Sequence, residues 1–155
     1  MNNWRYFTLD ELCRSSAALR AEIRNIPNDE LLKNLNRLVK ELLDPLRAEW
    51  GAPIIVTSGF RCNELNSLVG GAKCSYHTLG LVADLVAPAT GLRSAQQNTM
   101  HLYKLIKKNM DRFFVDEVIA EKAKQGRTCE WIHVQIFKPN TLPRHLAFEC
   151  QIFLT

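Results

Sequence analysis

Long apolar runs are missing from this 155-residue chain. No stretch of roughly 18 or more apolar residues occurs, so no segment reads as a membrane span. The N-terminal residues MNNWRYFTLDELC have neither an apolar h-region nor a small-residue cleavage site. No signal peptide is therefore expected, and synthesis is expected to be cytoplasmic. A C-x-x-C pair is also missing. The five cysteines, Cys13, Cys62, Cys74, Cys129 and Cys150, lack the close paired spacing of a Cys-type structural zinc site and read as reduced thiols. None has the base-partner pattern of a thiol peptidase. No helix-turn-helix, zinc finger or aromatic-basic pattern accompanies the net charge of +4, so nucleic acid is not an expected partner. The charge does favour an anionic partner.

Internal repeats, low-complexity tracts and long linkers are absent too. The chain reads as one domain over 1–155, with a helical part at 8–50 and a core at about 53–154. Apolar residues make up 46% of it, enough to fill a core. Thr8-Leu9-Asp10-Glu11 has the form of a capping box opening a short helix. Pro27-Asn28-Asp29-Glu30 opens a second helix. Its apolar face is Leu31, Leu32, Leu35, Leu38, Val39, Leu42, Leu43 and Leu46 at helical spacing. Pro45 should kink or restart this helix, and Gly51 should end it. The β-branched run 53–57 reads as a strand. Residues 63–69 read as one or two helical turns, and 94–110 as a third long helix. Further strands are expected at 81–86, 115–120, 131–137 and 146–154. Helices come first and strands gather later. That order implies an α+β fold with a small, mainly antiparallel sheet flanked by helices.

Two segments carry the residues for chemistry. A catalytic zinc takes three protein ligands, usually histidine and carboxylate, and leaves one position open. Ser75–Asp84 supplies His77 and Asp84. Glu130–Val134 supplies His133. In a strand, Trp131 and His133 share one face while Ile132 and Val134 share the other. Asp84 stands inside the apolar run Leu81–Val86, where an unpaired carboxylate is costly. It therefore needs a partner. Taken singly, His133 also fits a core histidine, Asp84 a turn cap or an Arg partner, and His77 a loop residue. Glu130 alone fits a solvated strand end, and Arg61 a structural ion pair. His101 and His145 match no motif and read as surface or packing residues. The basic stretches 104–108 and 122–127 read as solvated faces.

The spacing as a whole resembles the zinc D-Ala-D-Ala carboxypeptidase family, which includes dipeptidases, carboxypeptidases and phage endolysin L-Ala-D-Glu endopeptidases. Its pattern is S-x-H-x-x-G-x-A-x-D, then an acidic residue, two residues and His. Ser75, His77, Gly80 and Asp84 match the first part, and Glu130 and His133 the second. Thr57-Ser58-Gly59-Phe60-Arg61 resembles the upstream S-G-[YF]-R element, and Asn66 and Gly70-Gly71-Ala72 fit the segment after it. The one departure is Val82 at the alanine position, which bears on substrate size. The resemblance spans about residues 30–137.

The resemblance implies that His77, Asp84 and His133 bind one zinc ion and that Glu130 is the catalytic acid/base. It implies that Arg61 binds the substrate and stabilises the oxyanion, and that Ser75 hydrogen-bonds substrate. It implies a fold shared with the Hedgehog signalling domain. The expected activity is hydrolysis of a peptide bond in bacterial peptidoglycan, in a stem peptide or crosslink. A wall-degrading role without a leader would need release through a separate pore. A non-catalytic, zinc-bearing binding module of the same fold is the competing expectation.

Overall fold

A computed structural model describes residues 3–122 and 128–149. Helix α1 (Leu9–Cys13) opens as the sequence implies. The Thr8 side chain accepts the Glu11 N–H at 3.2 Å, and the Glu11 carboxylate accepts the Thr8 N–H at 2.7 Å. A second short helix, α2 (Ser16–Arg20), was not expected. Ser15 caps it by accepting the Ala18 N–H.

The long N-terminal helix runs from the Asn28 cap to Gly51 in three parts: α3 (Asp29–Arg37), a π-helical stretch (Leu38–Leu43) and α4 (Asp44–Trp50). The expected disturbance at Pro45 takes the form of this π stretch rather than a break. Proline has no N–H to give, and its ring crowds the carbonyl four residues back. The turn before it widens, and the Asp44 N–H reaches five residues back to the Val39 carbonyl. Leu35, Leu38, Val39, Leu42, Leu43 and Leu46 are fully enclosed. Burial of each contributes roughly 1.5–3 kcal/mol. Gly51, at φ 71°, ends the helix in the left-handed conformation that glycine adopts without steric cost.

The remaining elements are β1 (Ile55–Ser58), α5 (Asn63–Leu68), a 3-10 turn (Tyr76–Leu79), β2 (Val82–Val86), α6 (Ala95–Lys108), β3 (Val115–Glu121), β4 (Trp131–Ile136) and β5 (Leu146–Glu149). The sheet order is β1-β2-β4-β3-β5. The first three pairings are antiparallel, as expected, and β5 lies parallel to β3. The expected last strand reaches beyond Glu149 into residues that lie outside the described ones.

Alternation along the strands sorts the sheet into two faces. Ala83, Leu85, Val118, Ala120, Ile132 and Val134 are buried in the core, where α6 and the π stretch pack against the sheet. Their neighbours Asp84, Ile119, Glu121, Trp131 and His133 stand on the opposite face. The architecture is the α+β arrangement read from the sequence. No helix among the described residues is long and apolar enough to cross a membrane.

Candidate metal centre

His77, Asp84 and His133 come together on that second face. His77 rides on the 3-10 turn. Ser75 caps the turn by accepting the His77 N–H at 3.3 Å. Gly80, at φ 68°, closes it against Leu35 of α3. Asp84 and His133 face each other across the β2–β4 pairing. Their adjacency is a matter of register, because a slip of one residue would turn either side chain into the core.

One ligand atom from each of the three lies within 4.8 Å of the others. His133 Nδ1 is 2.9 Å from Asp84 Oδ1, and His77 Nε2 is 3.4 Å from Asp84 Oδ2. The two imidazoles meet edge-on, with centroids 5.4 Å apart. His77 Nδ1 lies 2.6 Å from the Gly59 carbonyl oxygen. A carbonyl only accepts, so Nδ1 carries the proton and the Nε2 lone pair faces Asp84. Fixing an imidazole by its remote nitrogen is how protein metal ligands are oriented. Two imidazoles and a carboxylate around a mostly enclosed point are a donor set suited to a divalent cation such as zinc. The residues fit a metal.

The electrostatics agree. Burial pushes the Asp84 carboxyl up, but the hydrogen bond from His133 and the two adjoining imidazoles outweigh it and hold the group well below the ordinary carboxylate range. Burial pulls His133 down. The hydrogen bond to Asp84 and the charges of Asp84, Glu121 and Glu117 outweigh that and raise it.

Arg61 reaches the same point from the loop after β1. Its Nε donates to Ser58 Oγ at 3.0 Å and its Nη2 to Asp84 Oδ2 at 3.4 Å. Ser75 acts here as the cap of the turn that carries His77. Val82 is fully buried and opposite Gln135, so its bulk goes into packing and not into an open cleft. Glu130 stands just before β4, with its N–H on the Glu121 carbonyl at 2.8 Å.

Glu121 was not singled out by the sequence reading. It pairs across strands with Trp131, one step along the open face from the Ile119–His133 pair. That diagonal is within reach of a long side chain. Burial raises its pKa, His133 lowers it and Asp84 raises it again, for a net rise. The available signal was alternation in β3, which puts Glu117, Ile119 and Glu121 on one face. His145 lies 3.3 Å from Asp111, and His101 is exposed, both away from this cluster as expected.

The family model for peptidase M15 matches residues 5–135, a span that holds every residue of this cluster. No curated protein matches the chain.

Proposed function

This chain belongs to the peptidase M15 family, and from that premise we propose that it is a zinc-dependent peptidase acting on the peptide part of bacterial peptidoglycan, in the manner of an endolysin. The observation that carries the reading is the meeting of His77, Asp84 and His133 within 4.8 Å, with a cation and a carboxylate on the same face. When bound, a zinc ion at these three residues would supply a Lewis acid that acidifies water and polarises a peptide carbonyl.

The protein's own groups would do the rest. Arg61 is held by Ser58 and Asp84, so its guanidinium is fixed over the site and suits the oxygen on which charge develops. A general base must take the proton of the attacking water and pass it to the leaving amine nitrogen. Motif spacing favours Glu130 for that role. Glu121 shares the face of His133 and is the other carboxylate near it. Glu130 stands three residues before His133 at the entry to β4, and we assign the role to Glu130. The positive net charge of the chain suits an anionic wall.

The test is incubation of zinc-loaded protein with purified peptidoglycan and mass spectrometry of the released fragments. Glu121→Gln and Glu130→Gln are run in parallel. Cleavage is expected, with the rate falling about 10²- to 10⁴-fold in Glu130→Gln and little in Glu121→Gln. The reverse pattern moves the base role to Glu121. No cleavage with zinc bound overturns the wall-peptidase reading and leaves the binding module.

A further inference from the structure

Beside Arg61 runs a groove of about 430 Å³, within the roughly 300–1,000 Å³ of ligand clefts. Residues Ile54, Ile55, Val56, Thr57 and Ser58 all line it. Consecutive strand residues point to opposite faces, so a groove touching all of them follows the strand's edge. Among the described residues β1 is the outermost strand on this side of the sheet, and an edge strand leaves alternate N–H and C=O groups unpaired. The Thr57 hydroxyl donates to the Asp84 carbonyl at 3.2 Å, which places that carbonyl on the β1 side. Alternation then turns Val86 toward β1, its partner Ile55 toward β2, and the Val56 N–H and C=O outward into the groove.

The groove adjoins the metal centre through two shared neighbours. Ser58 lines it and pairs with Asp84, and Arg61 lines it while bonded to both. Its lining mixes polar side chains such as Glu11 and Arg14 with exposed apolar ones. Ile55 is 49% exposed and Val69, at the end of α5, is 45% exposed. The chain between α1 and α2, at Arg14 and Ser15, forms the far wall.

From this we infer that β1 is a docking strand for the substrate: an extended stretch of the peptide, remote from the cleaved bond, adds along its free edge and is led past Arg61 to the metal centre. This rests on the peptidase reading above and adds to it where the substrate's length is read. Main-chain hydrogen bonds would supply affinity with little demand on side-chain identity, and Ile55 and Val69 would favour small apolar side chains. Specificity for longer substrates would then appear in KM and not in kcat, because these contacts are equal in the ground and transition states.

The probe is soluble stem peptide released from purified peptidoglycan and sorted by length. It is added near saturation to zinc-loaded Glu130→Gln protein, and amide hydrogen exchange is followed by mass spectrometry. Exchange across residues 54–58 is expected to slow by about tenfold or more with the longer peptides. Val69→Trp, which fills the groove, should abolish that slowing. Val69→Ala, which leaves it open, should keep it and serves as the control for folding. A response at residues 76–84 with none at 54–58 overturns the docking strand and leaves the peptidase reading standing. No response in either segment overturns both.

Discussion

His77 turns Nδ1 to the Gly59 carbonyl, 2.6 Å away, and so presents Nε2 to Asp84. The contact joins two segments that are separate in the chain, the loop after β1 and the turn before β2. It is why Arg61 and His77 arrive at the same place. The Arg61 N–H also donates to the His77 carbonyl at 3.1 Å.

Gly59 therefore has a role that its lack of a side chain makes possible. A Cβ there would run into the Leu12 carbonyl, the oxygen that accepts the Phe60 N–H at 2.7 Å. Gly59→Ala is expected to destabilise the protein by roughly 1–3 kcal/mol. By shifting the carbonyl that orients His77, it should also weaken metal binding about 10- to 100-fold. Thermal unfolding and metal titration check the two effects.

Metal binding should depend on pH through His133. In the metal-free protein its pKa is raised above the ordinary 6.5, with Asp84 as the main opposing partner to burial. The proton must leave before a metal can take the same nitrogen. Affinity is thus expected to rise about tenfold per pH unit and to level off only above the raised pKa. Zinc titrations from acid to mildly alkaline pH give the curve. A flat profile around neutrality contradicts the competition of proton and metal at His133.

Asp116 makes a separate contribution, to stability. It is buried and accepts from the Arg144 N–H and guanidinium and from Gln135 Nε2. Burial pushes its carboxyl up, but the Arg144 and Gln135 hydrogen bonds outweigh it and lower the pKa below 3.8. A lowered folded-state pKa stabilises above the unfolded value, and that stability is lost as pH falls through the folded one. Asp116→Ala should cost about 1–3 kcal/mol near neutral pH, because it leaves the buried Gln135 amide unpaired. The deficit relative to the parent protein should shrink in acid, as denaturant melts at several pH values will show.

The sequence disclosed those parts of the fold that rest on periodicity. Leu35 through Leu46 mark a helix because the face is continuous, and Trp131–Val134 mark a strand because burial alternates. His77, Asp84 and His133 were legible as a set through motif spacing. What was not legible depends on register between distant segments. Glu121 reaches the site only because β3 pairs with β4 so that Ile119 lies opposite His133. The π stretch before Pro45 was likewise hidden, since a kink and a widened turn share one sequence signal. The parallel seat of β5 beside β3 depends on where the chain returns, which no local pattern records.

The central claim is that His77, Asp84 and His133 hold a metal ion on which peptide hydrolysis depends. It is tested most directly by stripping the protein with a chelator and titrating zinc back while following release of peptide from purified peptidoglycan. The account expects activity to vanish on stripping, to return with one equivalent of zinc, and not to return in Asp84→Asn. Full activity after stripping, or in Asp84→Asn, would contradict it.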